Sequence, residues 1–425
     1  EVSDIVGGSL NGLLDVNGTV DFRGGQVSGQ VSIGGKFIFA DIANLYTDFR
    51  FENKLLTVDT LYGTILGDCS VDGKADVDFG GPVELYHLDA DIKNFDLRRV
   101  VPNSFSSDLT GQIRMEGHSF SNDDLLLSLE LDLFESTFDE YPMHGVFGPI
   151  EITTDSLWFP TPLQVDYFEN SFSVTGVIDY DDELSLAVIA DLPNLDRWRG
   201  KLFIDQPGGR GQGFATFTGR TSDPNLEGWL ASDSLWIYGL FADTCYASFS
   251  IDEFLTGRQG MVRVDLWNGA AWQVPYDTGL ARLRLDSNLV FIDSVYLTSA
   301  YSTLSAGGRL DQGPYPQMLT IDTLSLSVLE RNFYNHSSLD VAIDSNGFDF
   351  LGTTIGREDA ALMADGRVNY DETMDVALTV RDIPISPWLH LFNQDLELDG
   401  YLSGVGNLEG SFVSPLFDIS GSIDS

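Results

Sequence analysis

Strict alternation of apolar and polar residues, repeated along most of the chain, limits what this sequence can fold into more than any other feature. In LLLSLELDLF, Leu125, Leu127, Leu129, Leu131 and Leu133 share one face, while Ser128, Glu130 and Asp132 take the other. DELSLAVIADL groups Leu184, Leu186, Val188 and Ala190, and ETMDVALTVRD groups Met374, Val376, Leu378 and Val380 against Asp375, Thr379 and Arg381. ARLRLD sets Leu283 and Leu285 against Arg282 and Arg284. A period of two sends successive side chains to opposite sides of a pleated strand, whereas a helix needs 3.6. One apolar and one polar face per strand is the pattern of half-buried antiparallel strands. The expected class is all-β.

The alternating segments come as hairpins of one recurring type. VTGVIDYDDELSLAVIADLPNL, from Val174 to Leu195, reads as strand, acidic turn, strand and breaker, with Phe172, Val174 and Ile178 on the apolar side of its first strand. Variants are VDGKADVDFGGPVELYHLDADIKNF, SAGGRLDQGPYPQMLTIDTLSLSV (with Leu319 and Ile321) and ADGRVNYDETMDVALTVRDIPISPW. Their shared glycines are Gly73, Gly176, Gly308 and Gly366, unevenly spaced. A second glycine motif recurs at Gly18, Gly111, Gly213 and Gly400, and a glycine–proline–glycine unit at Gly219–Pro224–Gly228 and Gly410–Pro415–Gly421. The 43 glycines and frequent Asp/Asn/Gly pairs supply the short turns that such hairpins need. Four segments that follow the copies, NFDLRRVVPN, NLDRWRGKLF, SVLERNFYN and PISPWLHLFN, are the best candidates for short helices.

Residues 1–425 are expected to form one continuous β-repeat array, with soft internal boundaries near 103–108, 205–213, 311–316 and 394–400. None of these is long enough to be a flexible linker between independent domains. Allowing about 12 residues per strand and turn gives on the order of 35 strands, which at about 4.8 Å each would extend roughly 150–170 Å. The chain begins and ends in mid-pattern, at EVSDIVGGSLNG and SPLFDISGSIDS, so it is expected to be a segment of something longer.

Composition narrows the function. The net charge of −42, from 65 acidic and 23 basic residues, disfavours a phosphate backbone or an anionic membrane surface as partner. At 43% hydrophobic and 12% aromatic residues, the chain is far too apolar for an acidic disordered tail. No run of 18 apolar residues suggests a spanning helix. Cys69 and Cys245 are the only cysteines, with no CxxC, which leaves a bridge between them open. The five histidines lack metal-ligand spacing, HExxH and GxSxG are absent, and the glycines of GVGNLEG miss the dinucleotide spacing. The acidic turn Asp179–Glu183 could hold calcium through oxygen ligands. Its counterparts read DFGGP and DQGPY, however, so the carboxylates do not recur with the hairpin. Asn17 and Asn335 match the glycosylation acceptor pattern. No nucleophile, metal or cofactor signature emerges, and the expectation is a non-enzyme with no cofactor.

Hairpins with one apolar face must cover that face. A second sheet or a closed β-helix would give a dry core, and a structural or adhesive fibre would be the matching function. An open, curved sheet would instead leave an apolar groove for a ligand. The Leu-, Phe- and Met-rich character of the apolar side favours acyl chains as that ligand.

LTGQIRMEG, the alternating leucine run after it, and LWFPTPLQVDYFENSFSVTGVIDYDDELSLAVIADLPNLDRW together resemble the AsmA-like superfamily, and within it the TamB-type translocation and assembly module proteins. GRTSDPNLEGWLASDSLWIYG is similar to the same family's glycine–proline–glycine unit. The resemblance covers nearly the whole chain and rests on strand and turn patterns. It implies a taco-shaped β-sheet with a hydrophobic groove and a few short helices between repeats. It also implies a periplasmic location in a diderm bacterium, with inner-membrane anchoring through a segment outside this one. Phospholipid transport to the outer membrane, outer-membrane protein assembly, and an Omp85-type partner would follow. The groove lining would then be Leu125, Leu127, Leu129, Leu131, Leu133, Phe172, Val174, Ile178, Leu184, Leu186, Val188, Leu283, Leu285, Leu319, Ile321, Met374, Val376, Leu378 and Val380.

Overall fold

Alternation and turn chemistry build the same element over and over. A computed structural model describes residues 12–37, 40–99, 106–119, 124–138, 141–198, 207–237, 240–271, 274–329, 331–357, 360–371, 373–386, 400–411 and 414–424. Within them the protein is all-β, with 27 strands, and its strand pairings are antiparallel. That is fewer strands than the ~35 expected from a typical strand-and-turn length. Most run from 10 to 15 residues, so strand and turn together exceed the ~12 residues allowed for them.

The chain divides into two compact units, Glu1–Leu192 with Thr216–Thr221, and Pro193–Ala215 with Ser222–Ser425. The first holds β1 (Gly12–Arg23), β2 (Gln26–Phe37), β3 (Ala40–Glu52), β4 (Leu55–Ile65), β5 (Cys69–Asp78), β6 (Leu85–Phe95), β7 (Ser107–His118), β8 (Leu126–Phe138), β9 (Tyr141–Thr153), β10 (Ser156–Tyr167), β11 (Asn170–Asp179) and β12 (Glu183–Leu192). Each strand pairs with the next in a simple meander. β13 (Pro207–Arg220) spans the division, so the sequence boundary at 205–213 runs into a strand.

The second unit continues with β14 (Asp223–Ile237), β15 (Leu240–Asp252), β16 (Gln259–Ala271), β17 (Val274–Asp286), β18 (Leu289–Thr298), β19 (Ser302–Asp311), β20 (Gln317–Val328), β21 (Arg331–Asn335), β22 (Leu339–Ile343), β23 (Gly347–Arg357), β24 (Ala360–Asn369), β25 (Thr373–Pro384), β26 (Tyr401–Ser411) and β27 (Ser414–Asp424). Among the described pairings the meander is interrupted where β20 pairs first with β22 and then with β21. Asn335 fills the break. Its Oδ1 accepts the Leu324 N–H at 2.6 Å, and its Nδ2 donates to the Asp322 and Ser337 carbonyls at 3.1 and 2.8 Å. A buried strand must satisfy its backbone groups, and here a side chain does it. The acceptor pattern at Asn335 is therefore a structural clamp.

Of the four helical candidates, two contain short 3-10 turns, Leu97–Arg99 and Leu195–Trp198. SVLERNFYN is not helical: it is the end of β20, a turn and β21. Val328 and Phe333 are 0% and 1% exposed, and a hairpin buries both. On a helix, residues five apart would point to different sides. PISPWLHLFN is described only up to Ser386, and most of it lies outside the described residues.

The recurring glycine has a single structural cause. Gly73, Gly176, Gly308 and Gly366 each lie opposite a large apolar residue of the preceding strand, respectively Leu61, Phe159, Ile292 and Phe350. In all four cases that residue borders a β-bulge in its own strand. A bulge adds a residue, bends the strand and increases its twist, which brings neighbouring backbones close. A Cβ on Gly176 would lie 2.0 Å from the Ser185 carbonyl oxygen, and one on Gly366 would lie 2.3 Å from that of Asp375. Both glycines also hold positive φ, 126° and 137°, which side chains resist.

A second irregularity runs from strand to strand. In β8, Phe134 and Glu135 are exposed in succession between buried Leu133 and Ser136. The same double step occurs at Asp233–Ser234, Asp243–Thr244, Trp267–Asn268 and Asp277–Thr278 in β14 to β17, and at Arg381–Asp382 in β25. Glu135, Ser234, Asn268 and Asp382 have φ between 47° and 62°. In β14 to β17 the steps lie in register, so they form a crease across the four strands. Side-chain hydroxyls repair the local loss of ladder bonds. Ser136 Oγ accepts from the Thr110 N–H at 2.9 Å, and Ser232 Oγ donates to the Arg210 carbonyl at 2.7 Å. In the first unit the buried cluster of Cys69, Val71, Ala90, Ile92, Leu133, Met143, Val146 and Leu163 gathers around this level.

Candidate functional site: the continuous apolar face

Antiparallel register decides which side chains become neighbours on a face. In the first unit the register joins apolar residues into rows that run across the strands. One row is Val71–Ile92–Gly111–Leu133–Val146–Val165–Phe172–Ala190, one residue from each of β5 to β12. A second is Val77–Tyr86–Gly117–Leu127–Ile152–Leu157–Ile178–Leu184 across the same eight strands. Between them lie Leu88–Met115–Leu129–Ile150, Ile113–Leu131 and Val174–Val188, with Leu186 opposite Gly176.

The second unit repeats the arrangement with other residues. Phe249–Val262–Leu283–Ile292–Gly308–Ile321–Leu339 forms one row. Ile251–Gly260–Leu285–Val290–Leu310–Leu319–Val341–Phe350–Gly366–Val376–Leu408 forms a longer one. Met374 pairs with Val368, Leu378 with Ala364 and Val380 with Leu362.

Burial along this face is graded. Among the nineteen residues that alternation singled out, Leu133, Met374 and Val376 are buried, at 4%, 7% and 6% exposure. The other sixteen are half-buried, and none is exposed. Leu125 sits just before β8, and the rest lie in strands. Within each unit the face therefore combines large apolar side chains with incomplete cover. Alternation missed Val71, Ile92, Val146, Val165 and Val262, because a bulge or a glycine breaks the pattern near each of them, and it missed Phe249 as well.

The opposite face carries the charged residues beside exposed apolar ones such as Trp158 and Trp267, and its ion pairs are exposed: Lys74–Asp89 at 3.7 Å, Arg114–Glu130 at 3.1 Å and Arg284–Asp293 at 3.2 Å. Pairs of this kind contribute little stability, at most about 1 kcal/mol. A tighter group closes one hairpin, where Arg367 donates to Asp344 at 2.7 Å and to Asp349 at 2.5 Å. The guanidinium, with the Asn346 and Gly347 N–H groups, holds the Asp344 carboxyl down at about 2.

Cys69 and Cys245 are free and buried, one in each unit. Burial pushes the Cys245 thiol up to about 11, and the Asp265 charge adds to the shift. The Tyr276 hydroxyl, also raised by burial to about 12, donates to the Phe241 carbonyl at 2.6 Å. These groups are the structural lining of the crease. In the acidic turn, the Asp181 N–H is bound by Asp179 Oδ1 at 2.9 Å, and the Thr221 N–H and hydroxyl donate to Asp182. Among the described residues no three His, Cys, Asp or Glu side chains converge as metal ligands.

A scan against protein-family models finds no match, and a search of the curated proteins finds none either.

Proposed function

We propose that the apolar face is a conduit for phospholipid acyl chains, in a periplasm-spanning protein of the AsmA-like, TamB-type kind that carries lipid between the inner and outer membranes of a diderm bacterium. Assistance to outer-membrane protein assembly beside an Omp85-type partner belongs to the same reading. The observation that carries it is the set of largely half-buried apolar rows that cross the strands within each unit. A dry core leaves its large side chains buried at native packing density. Here sixteen of nineteen keep partial access, as a surface that accepts hydrocarbon requires. The rows cross the strands, so a chain can pass from one strand to the next without meeting a charge. No catalytic residue is needed, and continuity of the lining is the functional element.

Leu129→Asp tests this. Leu129 is half-buried between Met115 and Ile150, so the carboxylate stays hydrated in the empty protein and the fold survives. Against hydrocarbon, an aspartate costs about 2.5–3.5 kcal/mol, a loss of roughly 70- to 400-fold in local occupancy. Leu126→Asp is the control, since Leu126 points to the polar face and is 38% exposed. Phospholipid carried by the purified protein, counted by native mass spectrometry, should fall sharply in the first variant and stay level in the second. Lipid-free protein, or equal lipid in both variants, would instead support a dry-cored fibre.

A further inference from the structure

The polar face of the second unit contains a cleft that a lipid conduit does not use. Its volume is about 230 Å³, and Asp265, Trp267, Thr278, Leu280, Tyr296 and Thr298 line it, with Gly279 in the floor. Trp267 on β16 and Tyr296 on β18 stand on either side of β17, opposite Thr278 and Leu280 respectively. Two strand spacings separate them, about 10 Å. Both rings are open to solvent, at 40% and 45% exposure. Tyr246, across from Asp265 on β15, extends the aromatic surface and stacks on Trp229 with ring centroids 6.2 Å apart. Exposed aromatic residues recur in this protein, but here two of them line one cleft together with polar groups.

The polar groups of the cleft suit a neutral polyol. Thr278 and Thr298 share a hydroxyl–hydroxyl hydrogen bond at 2.6 Å, which leaves oxygen lone pairs for a ligand. The Asp265 carboxylate is gripped by Arg263 through Nε at 2.8 Å and Nη2 at 2.9 Å. Arg263 thereby keeps it ionised and in place, with its pKa lowered. A quaternary ammonium ion is held by the ring faces of an aromatic cage, and net negative charge beside the rings strengthens that hold. Here a guanidinium already neutralises the only carboxylate in the cleft. A sugar ring instead offers apolar C–H faces to the aromatic walls and hydroxyls to a fixed carboxylate and a threonine pair. Trp267 and Tyr296 stand beside the crease, about 10 Å apart on one face, a spacing that lets an extended, ribbon-like chain lay rings on both.

We propose that this cleft is a binding site for a β-1,4-linked glycan chain, with Trp267 and Tyr296 as stacking walls and Asp265, Thr278 and Thr298 as hydroxyl partners. Calorimetric titration of the whole chain with chitotetraose and with cellotetraose, paired with tryptophan emission, tests it. At least one tetrasaccharide should bind and shift the emission. Trp267→Ala and Tyr296→Ala should each weaken that binding tenfold or more, and Trp158→Ala, an exposed tryptophan of the first unit, should leave it unchanged. If Trp267→Ala does not fold by circular dichroism, the volume-conserving Thr278→Val reads the same site, with an expected loss of about fivefold. Absence of binding by both tetrasaccharides at millimolar concentration overturns the proposal. So does binding that Trp267→Ala and Thr278→Val leave unaltered, and so does a clear preference for tetramethylammonium over both sugars.

Discussion

Replacing Gly176 by alanine should unzip one part of the array without melting the rest. The added Cβ would meet the Ser185 carbonyl oxygen at 2.0 Å and Leu186 Cα at 2.9 Å, both backbone atoms that no rotamer change can move. Relief needs β11 and β12 to part by more than 1 Å against a normal strand spacing of about 4.8 Å, which breaks local ladder bonds. Two lost backbone hydrogen bonds contribute about 2 kcal/mol. Holding φ at 126° with a side chain adds about 1–2 kcal/mol. The sum is about 3–4 kcal/mol. In a nearest-neighbour array such a loss stays local, so hydrogen exchange is the right assay. Amides of β10 to β12 should exchange roughly 150- to 1000-fold faster, with those of β2 and β24 unaffected. Gly34→Ala is the control, since its Cβ would sit 3.5 Å from the nearest atom. If Gly176→Ala exchanges within threefold of the native protein, the account of the recurring glycine as a close approach facing a bulge is wrong.

Two further outcomes follow from the titrating groups. Asp344 has its pKa lowered to about 2 by Arg367, against about 3.9 when unfolded. The stability it contributes is fully present above pH ~4 and is lost as pH falls towards ~2. Asp344→Asn should therefore melt below the native protein at pH 6 and converge with it near pH 2, and a constant offset across that range would contradict the linkage. Cys245, raised to about 11 by burial, should resist iodoacetamide in the native protein at pH 8 and react once unfolded. Rapid native alkylation would show that the crease opens.

The all-β class, the hairpins and the apolar face were legible because they depend on a period of two, which a single sequence displays directly. The face survives in the structure as alternation drew it at Leu125 to Leu133, where no residue interrupts the pleat. The creases were not legible. Glu135, Ser234 and Asn268 adopt left-handed backbone inside strands, and the only sequence trace is a pair of successive exposed residues that breaks the alternation. SVLERNFYN misled because its local propensity competes with strand pairing, and pairing buries Val328 and Phe333 together. The role of Asn335 depends on β20 changing partners, a non-local event. The outward cleft was invisible too, because Trp267 and Tyr296 come together only through the register of β16, β17 and β18.

The central claim, that one face of the sheet holds hydrocarbon, predicts an alternation that can be measured residue by residue. A photo-crosslinking amino acid placed in turn at positions 127 to 132 of β8 should capture phospholipid in cells at Leu127, Leu129 and Leu131, which face the apolar rows. It should capture none at Ser128, Glu130 and Asp132, which face water. Adducts with a period of two would support the account. Adducts at every position, at none, or only at the polar positions would contradict it.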